Sequence, residues 1–189
     1  MAAPRKDNVK ELILYAAEEL LLTKKLSDIS LAEIAACAGI SKGTLYYHYK
    51  NKNEILFDIT DKYLNEQYRD LIAWTEDAAK DTSLHRLIHY VLERDVSTAG
   101  MRLHLFYDAM MGDEQIRQKL LARYEEFAHI LAEKIAERTN DPAPDYLAWL
   151  LLVLSDGLFL HQTLGNPLLD IPAFIRQSET YLTSRVPQV

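Results

Sequence analysis

From Ile34 to Asn53 the chain carries no carboxylate, although its formal net charge over 189 residues is -7. The same window gathers Lys42, Lys50 and Lys52, the imidazole of His48, the phenols of Tyr46, Tyr47 and Tyr49, and the hydroxyls of Ser41 and Thr44. Such groups are suited to holding an anionic surface rather than to breaking bonds. Lysines neutralise phosphates, hydroxyls donate to phosphate oxygens or meet base edges, and a glycine such as Gly43 lets the backbone come close. A carboxylate in the same place would be repelled. The competing reading is a solvated helical face with ordinary aromatic packing, and the elements around the window decide between the two.

Those elements are helical. Residues 7–23 set Val9, Leu12, Ile13, Ala16, Ala17 and Leu20 at the offsets of one helical face. Ser30 and Glu33 have the spacing of a capping box and open a second helix, which Gly39 ends after about two turns. Ser41 can cap a third helix running to about Tyr49. Asn51 with Glu54 repeats the cap spacing at the head of a long fourth helix, which turns Ile55, Leu56, Ile59 and Tyr63 inward. Two short helices joined through a glycine turn form a helix-turn-helix when their inward residues fit. Ile34, Ala35, Ala38, Ile40 and Leu45 supply that interior, and the small Ala35 and Ala36 let the helices approach. The second helix then exposes Lys42, Gly43, Thr44, Tyr46, Tyr47 and His48, which favours a groove-reading surface over a merely solvated one.

The stretch SLAEIAACAGISKGTLYYHYKNKNEIL, Ser30 to Leu56, resembles the DNA-binding segment of the TetR family of bacterial transcriptional regulators. The shared pattern is a helix ending at Ala-Gly, a short Ser-capped helix with Leu-Tyr and a further aromatic residue, then a lysine and an acidic position. Residues 27–56 follow it, and the preceding amphipathic helix matches in length. The resemblance implies an all-α fold of about nine helices, with an N-terminal three-helix helix-turn-helix domain followed by a helical ligand-binding and dimerisation domain. On that basis residues 1–52 form the DNA-binding domain, 52–80 a linking helix, and 81–189 the effector-binding and dimerisation domain. It also implies that Ser30 sits near a phosphate, that Lys42, Thr44, Tyr47 and His48 face the major groove, and that Tyr46 and Lys52 hold phosphates. Leu45 and Tyr49 match positions the family usually buries. Two departures stand out: Lys24 and Lys25 occupy a turn where the family often has glycine, and Leu31 and Ala32 replace polar residues early in the supporting helix.

Beyond residue 80 the helical pattern continues, with helices expected near 84–97 and 101–111. A long helix from Asp113 to about Arg138 lines up Ile116, Leu120, Tyr124, Phe127, Leu131 and Ile135 on one stripe. The segment NDPAP, 140–144, ends it. The next helix, Asp145 to about Leu164, is apolar around most of its circumference and must be buried on several sides. A last helix begins near Pro172. Residues 145–164 and 170–185, with Gly157 permitting close approach, are expected to form a homodimer, as the family's paired terminal helices also imply. His104, Tyr107 and Met111, then Tyr124 and Phe127, then Trp149, Asp156 and Phe159 make an aromatic and methionine wall with few polar handles. Such a wall suits a small, mostly apolar effector whose binding releases DNA. The alternative is that these residues fill the core. Asp156 in its apolar helix needs a partner, a ligand or water, and faces either the pocket or the dimer.

The charge is uneven: residues 1–63 carry nine Lys/Arg and nine Asp/Glu, whereas the remainder carries twelve and nineteen. This asymmetry suggests two jobs for two segments. The lone Cys37 excludes an intrachain disulfide and, among alanines, reads as a small core residue. The N-terminus lacks an apolar signal core, and the most apolar run, Tyr146 to Leu154, is shorter than the ~20 residues that span a bilayer, so a cytoplasmic protein without a membrane segment is expected. No G-x-S-x-G, Walker loop or dinucleotide glycine pattern is present, and no enzymatic activity and no cofactor are expected. His85 and His89 have the i, i+4 spacing of a metal pair, so a metal-dependent hydrolase, or a helical interaction protein without a nucleic-acid role, is the alternative. The expected partners are a double-stranded DNA operator, a small-molecule effector and a second copy of the chain.

Overall fold

A computed structural model describes residues 6–24, 28–77, 79–93, 99–140 and 143–185. Among them the regular elements are nine α-helices: α1 (Lys6–Leu21), α2 (Leu31–Cys37), α3 (Lys42–His48), α4 (Lys52–Glu76), α5 (Leu84–Leu92), α6 (Ala99–Met110), α7 (Glu114–Ala136), α8 (Pro144–Thr163) and α9 (Ile171–Arg185). The chain divides into two compact units. One holds residues 1–66 and 100–111, the other residues 67–99 and 112–189.

The first unit is organised around Val9, Ile13, Ala16 and Ala17 of α1, Ile34 and Ala35 of α2, Leu45 and Tyr49 of α3 and its cap, and Ile55 and Ile59 of α4, all buried. Leu12, at the margin of the α1 stripe, is exposed. The side chain of Tyr63 lies outside the described residues. The helix boundaries follow from local chemistry. Ser30 accepts the Glu33 amide at 3.2 Å while its own amide donates to the Glu33 carboxylate at 2.9 Å, closing the capping box. Gly39 ends α2 at φ +67°, where a side chain would be strained. Its amide and that of Ile40 reach the Ala36 and Ala35 carbonyls, the paired bonds of a Schellman turn. Ser41 then accepts the Thr44 amide at 3.0 Å and starts α3. At the head of α4, Asn51 accepts the Glu54 amide at 2.9 Å, and Glu54 accepts the Lys50 amide at 2.8 Å.

The second unit has its own core. Leu84, Leu87, Ile88, Val91 and Leu92 bury one face of α5 against Leu131 and Ile135 of α7, Leu147, Leu151 and Leu158 of α8, and Ile175 of α9. The expected extension of α5 to residue 97 runs into residues 94–98, which lie outside the described ones. Asp113 caps α7 through the Ile116 amide at 3.1 Å, and Asp170 caps α9 through the Ala173 amide at 2.9 Å. On α8, Leu147, Ala148, Leu151, Leu152, Ser155, Leu158 and Phe159 are buried. The opposite face leaves Tyr146, Trp149, Val153, Leu160 and Leu164 exposed.

Candidate functional site

The candidate recognition surface is built on a helix of seven residues. Leu45 is fully buried beneath it, and Tyr49, its C-terminal cap, is 2% exposed. These two anchors turn the remaining residues outward. Lys42 and Gly43 are exposed, Tyr46 is 56% and Tyr47 73% exposed, and Thr44 and His48 are half-buried. His48 meets Tyr47 edge-on, with ring centroids 5.2 Å apart. The Thr44 hydroxyl lies 2.8 Å from that of Ser41, so both belong to the cap at the helix start. A Cβ added to Gly43 would meet the Ser41 hydroxyl at 3.8 Å, an ordinary contact. The backbone there is therefore open from outside rather than crowded from within.

The two carboxylates that bound the acid-free window are both engaged. Glu33 accepts from the Ser30 amide and hydroxyl and pairs with the Lys24 ammonium at 2.9 Å. The Lys24 ammonium, with the Ser30 groups behind it, holds the Glu33 carboxyl down at about 2. Glu54 closes onto the Lys50 amide. Neither end of the window is left as a bare negative charge. Ser30, expected near a phosphate, spends its hydroxyl on this capping box. Lys52 donates at 2.7 Å to the carbonyl of Ile29, tying the head of α4 to the turn before α2. Lys24, at the turn where the family often has glycine, has thus become the partner of the α2 cap; Lys25 lies outside the described residues.

Behind α3 lies a contact that sequence inspection missed. The Tyr49 hydroxyl donates to Asp58 of α4 at 2.8 Å. Asp58 also pairs with Lys10 of α1 at 3.3 Å, and the Lys10 ammonium stands 5.2 Å from the centre of the Tyr49 ring. Burial, and the Asp58 carboxylate that accepts its hydrogen bond, push the Tyr49 phenol well above the ordinary tyrosine range.

The expected effector residues are only partly brought together. The Tyr124 hydroxyl of α7 donates to Asp156 of α8 at 2.5 Å, and Trp149 stacks on Tyr124 with centroids 6.4 Å apart. Phe127 sits edge-on to Tyr68 at 6.0 Å, and Phe159 is buried. Tyr107 and Met111 are exposed and belong to the first unit. His104 is on α6, but its side chain lies outside the described residues. The Tyr124–Asp156 pair supplies the polar partner that an aspartate in an apolar helix requires.

One sequence expectation is corrected, and one alternative loses its footing. Cys37 is exposed: it is the last residue of α2, and the buried residues of that helix are Ile34 and Ala35. His85 and His89 do not assemble a metal site: among the described residues no group of three or more His, Cys, Asp or Glu is placed to hold an ion. Both imidazoles instead grip the buried Glu179 of α9, His85 at 3.3 Å and His89 through Nδ1, while His89 Nε2 reaches Glu93 at 3.0 Å. The histidine pair fastens α9 to α5, and the hydrolase reading has no support. Among the described residues no helix is long and apolar enough to cross a membrane.

Comparison with known proteins agrees with this geometry. Residues 13–59 match the sequence profile of the bacterial regulatory proteins of the tetR family. The chain is 28% identical over 178 residues to the HTH-type transcriptional regulator EthR of Mycolicibacterium smegmatis, covering 89% of this chain and 79% of that protein. It is 25% identical over 173 residues to the HTH-type transcriptional regulator BetI of Escherichia coli, covering 86% of each. A transcriptional regulator from Saccharomonospora viridis, solved in complex with choline, has the same fold, with a TM-score of 0.75 at 20% identity over 96% of this chain and 98% of that one. A capped helix pair with an acid-free outward face, within residues 13–59 that match that profile, makes this N-terminal segment a helix-turn-helix domain of the tetR family of bacterial regulatory proteins.

Proposed function

We propose that the protein is a cytoplasmic repressor that binds a near-palindromic DNA operator as a homodimer and is released by a small, mostly apolar effector. The observation that carries the DNA reading is the outward face of α3, where Lys42, Gly43, Tyr46 and Tyr47 stand exposed and both bounding carboxylates are engaged. In this reading residues 1–52 contact DNA, 52–80 link, and 81–189 bind effector and partner. Lys42, Gly43, Thr44, Tyr47 and His48 approach the groove, Tyr46 and Lys52 serve phosphates, and Ser30 stays near the backbone. The chain acts by binding and carries no catalytic residue.

Dimerisation is supported by the apolar face of α8 that its own subunit leaves uncovered. Gly157 lies on that side, and a Cβ there would meet nothing within 4 Å. Two subunits would present two recognition helices to half-sites about one helical turn, ~34 Å, apart or at a longer in-phase spacing. The effector reading is supported by Tyr124, Trp149 and Asp156, which join two aromatic faces to one carboxylate, with Phe127 and Phe159 on the same two helices as further candidates. A fold neighbour solved with choline is consistent with a small organic effector. Such a ligand must bind the DNA-free conformation better, because equal affinity for both would shift nothing.

The test is selection of duplexes from a random library by the full chain, followed by salt-titrated binding to the enriched sequence and to DNA flanking its own gene. Enrichment of a near-palindrome with affinity falling steeply in salt is expected. Affinity indifferent to salt would refute the reading.

A further inference from the structure

We propose that Lys10, Asp58 and Tyr49 form a positioning device that sets the angle at which α3 meets DNA, and thereby separates sequence-specific from non-specific binding. The inference rests on the DNA reading above, but concerns residues that touch no DNA. A seven-residue helix cannot hold its own shape or pose, since isolated helices below ~12 residues are marginal in water. Its orientation must come from tertiary contacts. Leu45 supplies burial, and burial is non-directional, so it leaves rotation about that point weakly opposed. The Tyr49 hydroxyl supplies direction. Its 2.8 Å bond ends on Asp58, whose own position is fixed from the other side by Lys10 at 3.3 Å. Three helices, α1, α4 and the end of α3, therefore meet at one carboxylate.

The lever is long enough to matter. At 1.5 Å per residue α3 spans ~10 Å, so a rotation of ~10° about its C-terminal end moves the start of the helix by ~2 Å. Displacement of that size breaks base-edge hydrogen bonds, which weaken steeply with distance and angle. Phosphate contacts made by flexible lysines tolerate it, because they depend on charge more than on geometry. Losing the device should thus cost specificity and spare general affinity for DNA. Tyr49 remains a donor throughout the working pH range, because its phenol is held protonated.

The experiment uses the full chain, the duplex enriched by the wild type and a random duplex of equal length. Tyr49→Phe keeps the ring and removes the bond, Asp58→Ala removes the shared acceptor, and Lys10→Gln removes the bracing charge. Tyr49→Phe and Asp58→Ala are each expected to weaken the enriched duplex by about tenfold and the double variant by no more than either alone, the signature of one shared interaction. Affinity for the random duplex and its salt slope should change less than about twofold. Asp58→Asn, which can still accept from Tyr49, should restore most of the specific binding. Equal losses on both duplexes, additive losses in the double variant, or wild-type discrimination in Tyr49→Phe would each overturn the proposal. Should Asp58→Ala fail to fold, Tyr49→Phe and Lys10→Gln still decide it. A wild-type protein that enriches no sequence refutes the underlying DNA reading instead.

Discussion

Replacing Val153 by glutamate should split the dimer without unfolding the subunit. Val153 is 65% exposed within its own subunit and lies between Trp149 and Leu160 on the uncovered face of α8. Fully burying a valine-sized side chain contributes ~1.5–3 kcal/mol, so covering the exposed part is worth ~1–2 kcal/mol per copy. A two-fold interface meets every substitution twice, which raises the loss to ~2–4 kcal/mol. The desolvation of two carboxylates comes on top of that. The transfer term alone weakens association by roughly 30- to 700-fold at 1.4 kcal/mol per tenfold. Leu158 is the wrong residue for this purpose, because it is buried in the core of its own unit and a charge there would unfold it. Light scattering over a micromolar concentration series should report a dimer for the wild type and for a Leu22→Glu control, and a monomer for Val153→Glu and Leu160→Glu. Thermal melting should stay within a few degrees in the monomeric variants. A wild type that is monomeric throughout, or a Val153→Glu dimer as tight as the wild type, refutes the reasoning.

Lys52→Ala should weaken binding to every duplex and lower the salt slope by ~0.9, as loss of one phosphate contact requires, whereas Tyr47→Ala or His48→Ala should change operator preference at ~1–3 kcal/mol per contacted base pair. Glu33 is depressed in the folded state, so its stabilising share is present above the ordinary carboxylate range and is lost as pH falls toward about 2. Glu33→Gln should accordingly flatten the acid limb of melting temperature against pH between those limits, and an unchanged limb counts against the cap. His89→Ala strips a partner from the buried Glu179 and should cost ~1–3 kcal/mol in urea denaturation, with metal chelators having no effect on the wild type. Compounds that raise the melting temperature and release the enriched duplex should lose both effects in Tyr124→Ala and Trp149→Ala; hits indifferent to these changes would exclude that effector site.

What could be read in the sequence is what depends on neighbours along the chain. Ser30 with Glu33, Gly39, Ser41, and Asn51 with Glu54 each act within a few residues, and every one of them starts or ends a helix as its chemistry dictates. The outward set on α3 was legible for the same reason, since Leu45 and Tyr49 are four residues apart and share a face. Contacts that close over long separations left no local trace. Glu179 stands 90 residues from His89, so the histidine pair showed metal spacing but not the carboxylate it serves. Tyr124 and Asp156 could each be picked out as residues of interest, yet their bond joins two helices across 32 positions. The exposure of Cys37 is not legible because alanine-rich helical sequence gives little sign of which face is covered. Tyr107 on α6 and Met111 just after it carry the composition of a pocket wall, but composition does not say which way they face.

The economy of α3 has a consequence for how such a protein can change. Only Leu45 within the helix is committed to the core, so Lys42, Gly43, Tyr46 and Tyr47 carry almost no responsibility for folding. Substitutions at exposed positions of this kind usually alter stability by less than ~0.5 kcal/mol. Under the proposed DNA reading, target preference and fold integrity are therefore nearly separate traits. A lineage could retarget the reading face through many intermediates, each of them still folded, and a laboratory library confined to those positions should consist mostly of well-behaved proteins.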